Sequence, residues 1–294
     1  MKAGKIVVLG LVLGLAALAG YREARSAEEL AGDKTPSPVA GPRTNGLGME
    51  FLPVAGLEGA LFSKYETRVK DFRSFVEDTA NNGGYDYKKG DQPYILKSDG
   101  PKQRGWEYGW ANPGFSQTDD HPVTCVSWED AQAFCGWLTK KERTAGRIGK
   151  NQEYRLPTDE EWSVAVGLKE GKGQKEASGD LYPWGTQWPP PKDAENYAGK
   201  EAKDKDWPSD YDVIEGYNDG YPRTSPVGSL AANANGLYDL GGNVWEWCDA
   251  KKVRGGSWFS IAPRSLFSSI RGPGHPVFRV SFNGFRVVLG GSSR

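Results

Sequence analysis

Few side chains in this 294-residue chain could do chemistry by themselves. There are two histidines, His121 and His275, and three cysteines, Cys125, Cys135 and Cys248. Neither histidine stands in a motif with a nucleophile. No two cysteines are closely spaced, so a zinc site or a disulfide framework is not indicated. No GxGxxG, P-loop or GxSxG run occurs. The clearest chemical pair is Asp239 and Glu246, seven positions apart around Gly242 and Val244. Two carboxylates with turn carbonyls in a bent loop offer hard oxygen ligands, which suit Ca²⁺. The alternative is that both carboxylates cap turns and hold no ion.

These residues belong to the stretch Asn235–Arg286, around which the chain is organised. It opens with Gly236-Leu237-Tyr238-Asp239-Leu240-Gly241-Gly242-Asn243-Val244-Trp245-Glu246-Trp247. It continues through Arg254-Gly255-Gly256-Ser257-Trp258 and closes with Asn283-Gly284-Phe285-Arg286-Val287-Val288. Glycine pairs, tryptophans and a terminal apolar strand read as a rigid frame. The part between Trp258 and Asn283 has a different character and reads as a displayed surface.

Upstream, Met49–Val54 and Phe62–Glu66 have the look of strands. Val69, Phe72, Phe75 and Val76 recur at helical spacing after Thr67. The run 80–119 shows no period, and its Trp106, Tyr108 and Trp110 read as loop-packing aromatics, with a binding face as the alternative. Ser127 with Asp130 and Thr158 with Glu161 fit capping boxes. The first starts a helix lined by Trp128, Ala131, Cys135 and Leu138; the second starts a short stripe of Trp162, Ala165 and Val166. Leu181–Gly185 reads as a turn. No βαβ series is present, so an α+β fold with much irregular chain is expected.

Gly and Pro, 39 and 19 residues, agree with abundant turns. A hydrophobic content of 37% is low, but 11 Trp, 13 Tyr and 11 Phe can fill a core with few, large side chains. Net charge is −1, with no basic footprint for nucleic acid. Lys2 and Lys5 before the apolar run Ile6–Ala19 read as a secretory signal over residues 1–20, with a retained membrane anchor as the alternative. Residues 21–44, with Pro36, Pro38 and Pro42, read as a flexible tether. Residues 45–294 then form one domain, expected to be monomeric and exported to the periplasm or the bacterial cell surface. Tyr21 stands where a lipoprotein's acylated cysteine would be.

Several ordered motifs resemble the formylglycine-generating enzyme (sulfatase-modifying factor) family. They are Val126-Ser127-Trp128-Glu129-Asp130-Ala131, Tyr154-Arg155-Leu156-Pro157-Thr158, Tyr182-Pro183-Trp184-Gly185, Gly242-Asn243-Val244-Trp245-Glu246-Trp247, Arg254-Gly255-Gly256-Ser257-Trp258 and Gly284-Phe285-Arg286. The resemblance implies a C-type-lectin-like fold: a small twisted antiparallel sheet, two main helices and extensive ordered loops. It also implies one calcium at Asp239, Gly242 (carbonyl), Val244 (carbonyl) and Glu246. A second is implied at Asn196, Tyr197 (carbonyl), Asp219 and Tyr221 (carbonyl). The family's oxidase chemistry needs two cysteines, at positions that here hold Ser260 and Ser265. Copper(I) is soft and wants thiolate, which a neutral hydroxyl does not replace. No copper and no catalysis by that route are expected.

Residues 259–283 contain no Lys, Glu, Gln, Asp, Met or Trp, although the chain as a whole is 26% charged. Every residue type present can be encoded by a codon ending in C or T. That pattern resembles the variable region of diversity-generating retroelement proteins, some of which carry the same lectin-like fold. Under that resemblance Phe259, Ser260, Ile261, Phe267, Ile270, His275, Val277, Phe278, Val280, Ser281 and Phe282 are candidates for exposed ligand-contacting positions. Arg264, Ser265, Leu266, Ser268, Arg271, Pro276 and Arg279 are expected to be scaffold. An apolar patch on ordered loops points to a partner, most simply a protein. The alternatives are a silent family member whose apolar residues are core, and a catalytic member.

Overall fold

Terminal strand β11, Val288–Gly291, shows why the chain folds as it does. It is buried on both faces, so its apolar residues run consecutively instead of alternating with polar ones. Phe285, Val287 and Leu289 enter one hydrophobic cluster and Val288 enters another. In the computed structural model β11 lies inside a five-stranded antiparallel sheet of order β1-β2-β3-β11-β6. The other members are β1 (Arg43–Thr44), β2 (Glu50–Pro53), β3 (Leu61–Ser63) and β6 (Gln152–Arg155). The structure describes residues 41–80, 84–168 and 181–291, and these fall in one compact unit. The leader 1–20 and most of the tether 21–44 lie outside the described residues.

Three helices flank this sheet: α1 (Val69–Ala80), α2 (Trp128–Thr144) and the shorter α3 (Asp159–Val166). Both expected capping boxes form: Ser127 with Asp130 starts α2, and Thr158 with Glu161 starts α3. Each satisfies two amide donors that the first turn would otherwise leave unpaired. The left-handed Gly167 (φ 102°) ends α3. On one face of the sheet Phe72, Phe75 and Phe134 from α1 and α2 meet Phe285. On the other, Trp162 of α3 packs with Phe62, Leu240 and Val288.

A second sheet has the order β10-β7-β8-β9, from β7 (Trp245–Trp247), β8 (Lys252–Arg254), β9 (Gly272–Pro273) and β10 (Asn283–Gly284). Its β7–β10 pair is parallel; the others are antiparallel. A two-stranded ribbon, β4 (Tyr94–Lys97) with β5 (Gly100–Gln103), completes the strands among the described residues.

Two expectations need revision. The tether stops short of residue 44, because Arg43 and Thr44 pair with Phe51 and Glu50. The aperiodic run 80–119 hides the β4–β5 ribbon; its period is masked by Pro93, Pro101 and the turn glycine Gly100. The short helix α3 forms on the expected stripe that begins at Trp162, beside the two main helices. Trp110 does pack inward, 5.6 Å from the Phe72 ring.

Candidate functional site: the 259–283 surface and its clamps

The site begins with three buried arginines. Arg254 is fully buried and donates to the Ser163 hydroxyl (3.1 Å) and the Ser268 carbonyl (2.9 Å), pairs with Asp159, and lies 4.4 Å above the Trp162 ring. Arg286 is also fully buried. Its Nε lies 2.8 Å from both oxygens of Glu246, and it donates to the Tyr238 carbonyl at 2.7 Å. Burial alone disfavours charge on Arg286, but the adjacent Glu246 overrides it and holds the guanidinium pKa above its ordinary value. Arg279, inside the segment, pairs with Asp130 at 2.6 Å while Asp130 also caps α2. It lies 4.6 Å over the Tyr87 ring and donates to the Asp91 and Lys89 carbonyls.

The chain can reach these partners because its glycines allow close approach. A Cβ on Gly255 (φ 97°) would lie 2.5 Å from the Leu240 carbonyl oxygen. One on Gly242 would lie 2.6 Å from that of Asn196. Thus Arg-Gly-Gly-Ser-Trp and Gly-Phe-Arg are clamps on either side of the segment. A further tie is backbone to backbone: Tyr94 N–H donates to the Arg279 carbonyl and Ser281 N–H to the Tyr94 carbonyl.

Between the clamps there is little regular structure: a 3₁₀ turn at Pro263–Leu266 and the short β9. Of the eleven candidate contact residues, His275 and Phe278 are exposed, and Phe259, Ile261, Phe267, Ile270, Val277, Val280 and Phe282 are half-buried. Ser260 and Ser281 are buried, which corrects the expectation that both face outward. Ser260 accepts the Ser257 amide, and Ser281 accepts the Leu96 amide while its carbonyl takes the Trp258 indole N–H. Both are small polar residues spent on turn geometry. Two expected scaffold residues, Arg264 and Arg271, are exposed instead. Arg271 reaches back to Asp159 at 2.5 Å.

The half-buried rings are not scattered. Phe259 stacks on Phe282 with centroids 5.4 Å apart. It also meets Trp207 and Tyr211, each at 5.4 Å. Phe267 sits 4.9 Å from Tyr182, which stacks on Trp184 at 4.7 Å and meets Trp188 at 5.7 Å. Ile261 touches both clusters and joins them. On the far side Phe278 covers His275 and Tyr94, at 4.5 and 5.7 Å. Sequence reasoning missed Trp207, Tyr211 and Trp188, which lie in a loop of polar composition. Their one signal was large aromatics placed singly among charges.

The oxidase positions offer no sulfur. The Ser265 hydroxyl donates to the Ala262 carbonyl at 2.7 Å, within the 3₁₀ turn. Cys125, Cys135 and Cys248 are buried elsewhere, and burial pushes all three thiols well up from their ordinary range.

The two calcium sets differ. In the first set, Glu246 already has a cationic partner in Arg286. Both Glu246 oxygens face Arg286, and one accepts the Trp162 indole N–H at 2.7 Å. An ion there would have to displace the guanidinium. The Asp239 Oδ1 atom, with Glu195 Oε2 and Asn196 Oδ1, is buried without a hydrogen-bond partner. Burial raises the Asp239 carboxyl to about 6 and Glu195 well above its ordinary value, and in Glu195 the neighbouring Asp239 adds to the effect. In the second set Asp219 accepts the amides of Tyr197 and Tyr221, each at 2.8 Å, so these three residues do meet. Burial raises Asp219 to about 7. This set offers hard oxygens with no cation already in place, and it fits calcium better.

Comparison with known proteins follows the same lines. The family described as "Sulfatase-modifying factor enzyme 1-like domain" matches residues 41–290. The formylglycine-generating enzyme of Thermomonospora curvata is 36% identical over 140 residues, 46% of this chain and 36% of that protein. The mouse (Mus musculus) protein called inactive C-alpha-formylglycine-generating enzyme 2 is 31% identical over 226 residues, 67% of this chain and 62% of that one. The chain thus covers less than two thirds of either relative. Treponema denticola variable protein 1 shares the fold, with a TM-score of 0.50 at 18% identity over 86% of this chain and 99% of that one.

Proposed function

Because the chain belongs to the sulfatase-modifying factor family, we propose that it keeps the family's frame and uses it for recognition instead of oxidation. In this reading residues 259–283 are the ligand-binding region of an exported, cell-surface or periplasmic, non-catalytic protein. It is of the kind that diversity-generating retroelements vary, and its partner is another protein. One observation carries the proposal: half-buried Phe259, Ile261, Phe267 and Phe282 sit on irregular backbone between the Arg254 and Arg286 clamps. Apolar rings that are partly exposed on a fixed backbone bind with little ordering cost. Family members described as inactive are consistent with this.

The alternative is oxidation of a sulfatase cysteine. It is tested by incubating the copper-loaded chain with a cysteine-containing sulfatase peptide; turnover overthrows the reading of Ser260 and Ser265. The recognition reading is tested by comparing sibling genes. Differences confined to the codons between Trp258 and Gly284, with a reverse transcriptase gene nearby, support it. Differences spread evenly over the chain count against it.

Calcium is proposed as a structural ion at Asn196 and Asp219 with the carbonyls of Tyr197 and Tyr221. It would pin the loop that carries Trp207 and Tyr211 and would take no part in chemistry. Millimolar Ca²⁺ should raise the melting temperature, and Asp219→Asn should remove that rise. A chelator-treated protein that melts no differently with added calcium rules the ion out.

A further inference from the structure

The 259–283 segment contains no carboxylate, but the loop it leans on is rich in them. Residues 204–215 carry Asp204, Asp206, Asp210, Asp212 and Glu215 against one lysine, Lys205. Trp207 and Tyr211 of this loop are the rings that meet Phe259. Asp204 is taken by Arg223 at 2.9 Å, and Asp206 lies 3.9 Å from Lys97. Asp210 and Asp212, on either side of the half-buried Tyr211, are exposed and have no ion pair among the described residues. The same ring cluster already holds a cation on its inner side. The Arg223 guanidinium lies 5.7 Å from the Trp207 ring and 5.2 Å from the Trp258 ring. Rings in such a cluster attract a cation through their quadrupole, and a long basic side chain also buries its apolar stem on them.

We propose that the 204–215 loop is part of the binding surface, and that the protein segment covering it is cationic. It presents an arginine or lysine whose stem lies along Tyr211 and Phe259 and whose charge meets Asp210 and Asp212. The proposal rests on residues 259–283 being the recognition surface and adds the chemical class of the partner. Rim charges of this kind act on encounter rate and salt dependence, whereas the central rings hold the complex.

The probe is a phage-displayed library of short random peptides, selected against the folded chain. Enriched peptides are then measured on the wild type, on Asp210→Asn with Asp212→Asn, and on Phe259→Ser with Phe282→Ser. Should the double serine variant not fold, Phe282→Ser alone serves. The expected result is an excess of Arg and Lys over the input library. Affinity should fall roughly tenfold on the double asparagine variant, and by a similar factor as salt rises from low to above physiological. Peptides that need Phe259 and Phe282 but ignore the asparagine substitutions, or show no basic excess, overturn the cationic partner and leave the recognition reading intact. Peptides indifferent to both sets of substitutions, or a selection with no enrichment, overturn both.

Discussion

The clamps and the segment between them lie on one stretch of chain but are held by different physics. Arg254 and Arg286 have no exposed surface, and both donate to protein acceptors, Arg254 through its two terminal nitrogens. Phe259 and Phe282, a few residues inward, touch mainly other rings and stay half-open to solvent. Ionic hydrogen bonds are directional, and breaking a buried pair leaves an uncompensated charge. Such positions therefore tolerate almost no change. Ring contacts are non-directional and only partly desolvated, so one apolar side chain can replace another. A surface can vary here because the residues that fix its backbone are not the residues it displays. Arg279 shows the boundary is not one of sequence position: it sits inside the segment and is built like a clamp.

The largest expected effect tests that boundary. Arg286→Ala should cost roughly 3–5 kcal/mol by leaving Glu246 buried and unpaired, and Arg279→Ala should cost about as much through Asp130. Urea unfolding measures both; a change at Arg279 as small as at an exposed site would erase the distinction.

Phe259→Ala comes next. The ring is half-buried, so the loss should be about 1–2 kcal/mol, well under the ~3–5 kcal/mol expected for Phe72→Ala in the core. Equal losses would make Phe259 a core residue and support the alternative of a silent family member.

A smaller effect is read by pH. Burial alone would raise the Asp159 carboxyl, but Arg271 and Arg254 override it and hold it below its ordinary value. Its contribution is therefore present above the unfolded pKa, near about 4, and is lost as pH falls through the lower folded value. Asp159→Asn should flatten the acid limb of a melting-temperature profile below about pH 4. An unchanged acid limb would mean that the bridge from Arg254 to Arg271 adds nothing to the segment's attachment.

Smallest of all, Phe278→Ser should shift stability by less than about 0.5 kcal/mol, since the ring is 38% exposed. A larger loss would show that its contacts with His275 and Tyr94 are structural.

Much of the frame was legible in the sequence. Apolar period, capping boxes and glycine pairs are local signals, and each appears where it was expected: α1 from Val69, α2 after Ser127, α3 after Thr158. The β4–β5 ribbon was not legible, because its pairing is decided between strands whose own composition carries no period. Composition marked 259–283, but spacing could not separate Phe282 from Ser281. That depends on the Tyr94 backbone drawing Ser281 inward. Trp207 and Tyr211 were missed because about fifty residues part them from the rings they support.

The sequence by itself determined the family frame, the serines at Ser260 and Ser265, and the unusual composition of the segment, because these are matters of residue type and order. Tertiary structure alone decided that Arg286 pairs with Glu246, that Ser260 and Ser281 face inward, and that an acidic loop borders the half-buried rings. Each of these is a choice among partners distant in the chain. Burial and geometry make that choice, and no local pattern records it.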